Sequence, residues 1–122
     1  DILWKEENKK DVLNFINRIY DVETCKLLLA NKVNFKGLKK TTGDFKLENR
    51  LIKRWKVNDP YLYYTGLQII NPRIFNLIKE TTFSINVLWN ILITKANLEG
   101  EILNSDIAHI GDINTFKQFG DQ

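Results

Sequence analysis

Hydrophobic positions in the first third of the chain change from helical to strand-like spacing. From Asn8 to Tyr20 apolar residues recur every three or four positions, which predicts a helix with one buried face. The run from Thr24 to Ala30 is almost continuously apolar, which favours a fully buried strand and leaves a helix as the alternative. Residues 32–42 are polar, basic and contain Gly37, so we expect a loop there.

The middle of the chain has the pattern of a hairpin followed by a long strand. Residues 43–48 alternate between apolar and polar, which predicts a half-exposed strand. Glu48-Asn49 suits a turn, and residues 51–55 return as a second strand. Asn58-Asp59-Pro60 is a turn signal before a strand over residues 61–70.

Two helix starts follow that strand. Asn71 is a favoured N-cap and Pro72 fits a first helical turn, which predicts a helix from Pro72 to Lys79. Ser84 is a good N-cap for a second helix over residues 85–96. Apolar residues surround most of that helix, so we expect it to be buried against a sheet.

Short strands are predicted near both ends of the chain. They cover residues 2–4 and residues 98–103, with a bend or bulge at Gly100. A third short strand begins at residue 107 and runs into a turn by residue 112. A last short helix is predicted to start at Asn114. The order of elements indicates an α/β fold with a mixed sheet, flanking helices and a β-hairpin insertion. Residues 1–122 contain no linker and form a single domain or part of one.

Composition bears on the cellular compartment and on the class of protein. The single cysteine, Cys25, excludes an intramolecular disulfide and suits a reducing compartment, so we expect a cytoplasmic protein. No apolar run approaches the roughly 20 residues of a membrane span. The chain does not begin with Met, and we expect a piece of a longer protein.

Basic residues and aromatic residues are interleaved around the predicted hairpin. This combination is typical of proteins that bind single-stranded nucleic acid, where cations contact the backbone and rings stack on bases. The residues concerned include Arg54, Trp55 and Tyr61. Because no recognised nucleic-acid-binding motif accompanies them, we favour a solvated hairpin and keep a nucleic-acid binder as an alternative.

Considered one at a time, few residues have a sequence pattern that indicates a catalytic, metal-binding or phosphate-binding site. Cys25 lies in an apolar run, which favours a buried structural thiol over a nucleophile. His109, the one histidine, lies between Ala108 and Ile110, as expected for a core or turn histidine. Asp1 stands alone, and the six glycines are scattered rather than grouped in a phosphate-binding loop.

Six short segments, in order, resemble motifs of the sugar-1-phosphate nucleotidyltransferases. The closest likeness is to the group that includes N-acetylmuramate-1-phosphate uridylyltransferase and mannose-1-phosphate guanylyltransferase. The segments are D-I-L-W from Asp1, the run from Tyr20 to Leu29, G-D-F-K-L from Gly43, Y-T-G-L-Q-I-I from Tyr64, F-S-I-N from Phe83 and H-I-G-D-I-N from His109.

This resemblance implies a reaction and a set of site residues. A sugar-1-phosphate oxygen would attack the α-phosphate of a nucleoside triphosphate, releasing pyrophosphate and giving a nucleotide sugar for cell-envelope synthesis. It implies Mg²⁺, with Asp1 as one ligand and His109 at the position of a second. Gly43, Thr65 and Gly66 fall in segments that line the sugar-phosphate pocket, where glycine lets a backbone approach a substrate closely.

The family's Gly-rich triphosphate-binding loop has no counterpart in these residues. The resemblance therefore implies the carboxy-terminal, sugar-binding half of a Rossmann-like nucleotide-diphospho-sugar transferase fold, inactive alone. A separate amino-terminal half would be its partner. The alternative from another class is a non-catalytic binding or scaffold remnant. We expect neither a membrane partner nor a nucleic-acid partner.

Overall fold

The computed structural model describes residues 2–17, 23–38 and 42–109, and the side chain of His109 is not described. Within these ranges it is an α/β fold with two mixed sheets and a few helices, as predicted. The elements are β1 (Ile2–Leu3), α1 (Lys9–Asn17), β2 (Cys25–Ala30), β3 (Phe35–Lys36), β4 (Lys46–Glu48), β5 (Leu51–Lys53), β6 (Tyr63–Ile69), α2 (Ile85–Thr94), β7 (Leu98–Ile102) and β8 (Ile107–His109). Short 3₁₀ helices cover Glu6–Asn8, Lys32–Asn34 and Pro72–Leu77.

The larger sheet has the strand order β4-β5-β7-β2-β6. Its strand β2 runs parallel to β7, with Cys25 opposite Leu98, and antiparallel to β6, with Lys26 opposite Ile69. All six residues of β2 are buried. This confirms the prediction of a fully buried strand and removes the helix alternative.

The two faces of β2 serve two separate cores. Cys25, Leu27 and Leu29 pack on the side of α2, which contributes Leu88 and Leu92. The intervening residues Leu28 and Ala30 face the other side, where Phe15 of α1 and Tyr63 of β6 are buried. Because successive side chains of a strand point to opposite faces, one strand connects both cores.

The smaller sheet has the order β1-β8-β3. In it, β8 pairs antiparallel with β1, placing Ile2 opposite His109, and parallel with β3, placing Phe35 opposite Ile107. The predicted loop over residues 32–42 is therefore wrong at β3. Two-residue strands depend on partners distant in sequence, and their own sequence carries too few positions for a periodic pattern.

The predicted hairpin is confirmed as β4 and β5. Asn49 and Arg50 form its two-residue turn, and both have positive φ, 49° and 72°. Two consecutive positive φ values are the mark of the turn type that matches the twist of the adjoining strands. The turn lies one residue later than predicted, and the returning strand ends at Lys53 rather than Trp55.

The two helix starts after β6 are also confirmed. The Asn71 side-chain oxygen accepts a hydrogen bond from the Arg73 amide, but Pro72–Leu77 forms a 3₁₀ helix rather than the predicted longer helix. Ser84 caps α2 by accepting from the Asn86 amide at 3.3 Å. This helix is covered on one side only, since Val87 is 44% exposed.

Three further predictions concern the first helix, Gly100 and the last helix. The first helix occupies Lys9–Asn17, and residues 18–22 lie outside the described part. Gly100 forms no bulge: it pairs in register with Leu27, and a Cβ there would lie 2.9 Å from Leu29 Cδ1 and 3.0 Å from Ile52 Cγ1. Glycine suits position 100 because the core side chains Leu29 and Ile52 leave little room for a Cβ. The predicted last helix at Asn114 also lies outside the described residues.

Among the described helices, none has the length and apolar character needed to cross a membrane.

Candidate functional site

A large irregularity interrupts the pairing of β6 with β2. Leu27 lies opposite Gln68, whereas Leu29 lies opposite Tyr64, so the three residues 65–67 face Leu28 alone. Such a bulge pushes the extra residues out of the regular ladder. We refer to residues 65–67 as the β6 bulge.

Gly66 permits the backbone of the β6 bulge to turn. Its φ is +97°, and no heavy atom lies within 4 Å of the position that a Cβ would occupy. Space is therefore not the constraint at this residue. Glycine is favoured because side chains rarely tolerate this backbone conformation.

Thr65 fastens the β6 bulge to the neighbouring strand. It is 1% exposed, and its hydroxyl donates a 2.9 Å hydrogen bond to the Leu28 carbonyl. The same oxygen accepts from the Leu67 amide at 3.3 Å. The side chain is thus used internally, and its contribution to a ligand site is to fix the backbone around Gly66.

The β6 bulge forms one wall of a pocket of about 500 Å³. This volume lies in the range of pockets that hold small molecules. Thr65 and Gly66 both line it, together with Asp44 and the two tyrosines that begin β6. The apolar part of the wall comes from Ile2, Trp4, Phe35, Leu38 and Leu67.

Asp44 is held in this pocket by backbone contacts to the start of β6. Its Oδ2 accepts a hydrogen bond from the Tyr64 amide at 2.9 Å, and its own amide donates to the Leu62 carbonyl at 2.8 Å. The next residue, Phe45, forms an isolated bridge with Leu62. The sequence interpretation did not single out Asp44, although its place in the G-D-F motif could have indicated it.

Gly43, by contrast, is buried and is not among the residues that line the pocket. A Cβ at Gly43 would lie 2.8 Å from the Tyr61 Cβ, so the contact with Tyr61 leaves no room for a side chain. Its carbonyl accepts a 2.9 Å hydrogen bond from the Trp55 indole. The structure places Gly43 as a support for Asp44, and direct substrate contact by Gly43 stays a prediction.

The side chains of the two proposed metal ligands, Asp1 and His109, are not described. Asp1 lies outside the described residues. The backbone of His109 pairs with Ile2, a pocket-lining residue and the sequence neighbour of Asp1. Within the described residues, no three His, Cys, Asp or Glu side chains are grouped as metal ligands would be. The assignment of Asp1 and His109 to Mg²⁺ stays a prediction.

Two lysines of the hairpin form ion pairs with nearby carboxylates. Lys46 lies 3.1 Å from Asp59 and 3.2 Å from Glu48, which also lies 3.0 Å from Lys53. Hydrogen bonds to Asp59 and then Glu48 raise the pKa of Lys46, and the bond from Lys53 is the main cause of the lowered pKa of Glu48. These contacts offset the charges of Lys46 and Lys53, two of the five basic residues between positions 46 and 56.

Aromatic and guanidinium groups of the same region pack against the protein. Arg54 donates to Asn86 at 2.9 Å and to Asn90 at 3.1 Å, and it lies over the Phe45 ring. The ring centroids of Trp55 and Tyr61 are 5.1 Å apart. These contacts favour the solvated hairpin over a surface built for stacking on bases.

Cys25 is a fully buried thiol, in agreement with the structural interpretation. Burial raises its pKa from 9.0 to about 12. Its Sγ donates to Gln68 Oε1 at 3.4 Å, and the same oxygen accepts from the Trp89 indole at 3.3 Å. A thiol held neutral and inaccessible is a poor nucleophile.

Comparison with models of known protein families finds none that matches this chain, and a search of curated proteins finds no similar protein.

Proposed function

We propose that this chain provides the sugar-phosphate-binding part of a sugar-1-phosphate nucleotidyltransferase, built on a Rossmann-like nucleotide-diphospho-sugar transferase fold. One observation carries the proposal. Residues from three separate motif segments, Ile2 after Asp1, Asp44 of G-D-F and Thr65-Gly66 of Y-T-G, line a single pocket. The family resemblance assigns these segments to one site, and their convergence supports that assignment.

The geometry suits a role in positioning. In phosphoryl-group transfer the protein mainly aligns the reactants and neutralises charge. In the proposed reaction, an oxygen of the sugar-1-phosphate bonds to the α-phosphorus of the triphosphate and the bond to pyrophosphate breaks. The part played by this pocket is to hold the sugar. The β6 bulge, fixed by Thr65, gives the pocket a rigid wall for that purpose.

Magnesium is part of the proposal through its expected ligands, Asp1 and His109. A bound Mg²⁺ would supply charge neutralisation at the phosphates, and carboxylate oxygens suit it. The described residues contain no group of three potential ligands, so the proposed Mg²⁺ site depends on Asp1 and His109.

The proposal requires a triphosphate-binding partner. These 122 residues contain no Gly-rich loop, so that loop would come from a separate amino-terminal half. We propose the sugar-1-phosphate, the nucleoside triphosphate and this half as the partners. We propose no membrane partner and, because Arg54 and Trp55 contact neighbouring side chains, no nucleic-acid partner.

Pyrophosphate release tests the proposal. The chain is incubated with Mg²⁺, a panel of sugar-1-phosphates and all four nucleoside triphosphates, alone and with an amino-terminal half made from a nucleotidyltransferase. We expect turnover only in the mixture and at least a tenfold loss with Gly66→Val, because the variant strains one wall of the pocket. Val57→Ala, at a residue 83% exposed and outside the pocket, is the matched control.

Silence in both arms, from a chain shown to be folded, would favour the scaffold remnant. Binding of single-stranded oligonucleotides at low salt, lost on Arg54→Ala and Trp55→Ala, would favour the nucleic-acid alternative.

A further inference from the structure

Trp55, which follows strand β5 of the hairpin, is bonded to the segment that carries Asp44. Its indole N–H donates a 2.9 Å hydrogen bond to the carbonyl of Gly43, the residue directly before Asp44. Asp44 lines the pocket, whereas Trp55 is half-buried and is not among the described lining residues. A residue outside the pocket therefore holds the backbone from which a lining side chain projects.

This hydrogen bond fixes the orientation of one peptide group. The Gly43 carbonyl and the Asp44 amide belong to the same planar unit, in which the two groups point in opposite directions. Trp55 donates to the oxygen of this unit, and its N–H donates to the Leu62 carbonyl at 2.8 Å. Because glycine adopts many backbone conformations, the plane beside Gly43 depends on such bonds for its orientation.

A row of aromatic rings also connects Trp55 to the pocket wall. The ring centroids of Trp55 and Tyr61 are 5.1 Å apart, and those of Tyr61 and Tyr63 are 5.9 Å apart. Tyr63 in turn lies 6.3 Å from Phe35, and both of these rings line the pocket. The last two pairs meet nearly edge to face, a favoured arrangement of aromatic rings. Since closely packed side chains transmit displacements, a change at Trp55 should reach this wall through Tyr61.

We infer that Trp55 is a positioning residue of the sugar pocket, which acts through Gly43 and Tyr61 rather than by contact with the substrate. This inference rests on the proposed function, because it concerns the sugar bound in the same pocket. It gives the aromatic residues around the hairpin a role inside the protein, in place of stacking on bases.

Loss of the indole hydrogen bond should weaken sugar binding more than it slows the chemical step. The proposed part of the pocket is to hold the sugar, which it does before and during the transfer of the phosphoryl group. Removal of such uniform binding raises KM and leaves kcat unchanged. A chain that is merely destabilised behaves differently, because the amount of active protein falls and kcat decreases at constant KM.

Trp55→Phe is the decisive variant, because it keeps a ring beside Tyr61 and removes the indole N–H. Amide hydrogen exchange in the ligand-free chain measures the effect on the wall without any substrate. The Asp44 amide is compared with the Gly100 amide, which donates to a carbonyl in the larger sheet. We expect exchange at Asp44 to accelerate about fivefold more than exchange at Gly100.

Sugar binding is measured on the same chain with glucose, mannose and N-acetylglucosamine 1-phosphates. The NMR amide shifts of Thr65 and Gly66 follow the titrations. For the sugar that binds most tightly, Trp55→Phe should raise the Kd about fivefold. In the mixture with the amino-terminal half, KM for that sugar should rise by a similar factor. We expect kcat and the KM for the nucleoside triphosphate to stay within about twofold of wild type.

Tyr61→Leu tests the second contact separately, because it interrupts the row of rings and keeps the indole N–H. We expect it to raise the Kd for the sugar as well. Leu92→Val is the control: Leu92 is fully buried in α2 and is not among the described lining residues. Loss of a buried methylene group destabilises the chain, and the Kd should remain that of wild type.

The outcomes separate the inference from the proposed function. An unchanged Kd in both Trp55→Phe and Tyr61→Leu, or a fall in kcat at constant KM, overturns the inference and leaves the proposed function standing. Exchange at Asp44 that accelerates no more than exchange at Gly100 does the same. If no sugar-1-phosphate shifts the amides of the wild-type β6 bulge, the proposed function fails and the inference fails with it.

Discussion

The hydroxyl of Thr65 donates to the carbonyl of Leu28 across a 2.9 Å gap, at the point where three residues of β6 face one residue of β2. This single bond replaces part of the ladder that the bulge interrupts. It occurs beneath the pocket wall, so the stability of the fold and the shape of the pocket depend on the same contact.

Thr65→Val tests that contact, because it replaces the hydroxyl with a methyl group of similar size. The Leu28 carbonyl and the Leu67 amide both lose a partner, so we expect unfolding to become easier by about 1–3 kcal/mol in urea titrations. Thr65→Ser keeps the hydroxyl and should lose less. Thr94→Val is the control, since the exposed Thr94 hydroxyl donates within α2 and its removal should cost under about 0.5 kcal/mol. Equal losses for Thr65→Val and Thr94→Val would contradict the assigned role.

Gly66→Ala and Gly43→Ala separate two reasons for needing glycine. At Gly66 the cost is backbone strain alone, about 1 kcal/mol. We therefore expect Gly66→Asn to cost less than Gly66→Ala, because Asn tolerates positive φ better. At Gly43 the added methyl group meets the ring and the Cβ of Tyr61, so Tyr61→Gly, which removes both, should reduce the cost of Gly43→Ala and leave that of Gly66→Ala unchanged. Thermal unfolding of the single and double variants measures both effects, and equal relief at the two positions would refute the distinction.

The buried Lys26 predicts a strong effect of single substitution. Its ammonium is 3.3 Å from a Glu101 carboxylate oxygen, with side-chain exposures of 1% and 14%. It also donates to the Phe15 carbonyl and lies over the Phe15 ring. Lys26→Met leaves the Glu101 charge without this cation, and we expect a loss of about 3 kcal/mol in the free energy of unfolding.

The double variant Lys26→Met/Glu101→Gln should recover a large part of that loss, because the isolated charge disappears. Chemical denaturation of the single and double variants measures the coupling. Strictly additive losses would show that the two side chains do not depend on each other. Lys32→Met, at an exposed lysine, is the matched control.

Two raised pKa values predict a loss of stability in alkali. Burial raises the pKa of Cys25 from 9.0 to about 12, and burial followed by the charge of Cys25 raises that of Tyr64 from 10.0 to about 12. Above pH 9 the unfolded chain therefore releases protons that the folded chain retains. The stabilisation is complete below pH 9 and falls as the pH rises toward 12.

Urea titrations between pH 8 and 10 measure this effect. Over that range, Cys25→Ala should flatten the decline by up to about 1.4 kcal/mol per pH unit above pH 9. A decline of equal slope in the two proteins would exclude the thiol as its source. A thiol reagent at pH 8 should label Cys25 only after unfolding, because the folded side chain is inaccessible.

Local sequence was sufficient for the elements that depend on local physics. The apolar run at β2, the Ser84 cap and the Asn71 cap each require only neighbouring residues, and all three were predicted. The hairpin was also predicted, but its turn was placed one residue early. Arg50 is an unusual residue at positive φ, and local residue preferences do not predict it in this turn position.

The missed features depend on residues far apart in sequence. Strand β3 exists because Phe35 reaches Ile107. Gly100 is required by the closeness of Leu29 and Ile52, a fact of packing that leaves no periodic trace. Asp44 entered the candidate site in the same way, since its place in the pocket depends on contacts with Leu62 and Tyr64.

The small sheet has a consequence for biosynthesis. Its middle strand, β8, pairs with β1 and β3, which are translated far earlier, and β1 supplies Ile2 to the pocket. During synthesis, β1 and β3 therefore cannot pair with β8 until nearly all of the described chain has emerged from the ribosome. Contacts between distant segments form slowly and leave strand edges open meanwhile. A nascent chain stalled before Ile107 should thus be exposed to chaperones and proteases, and ligand binding should appear only once β8 has left the exit tunnel.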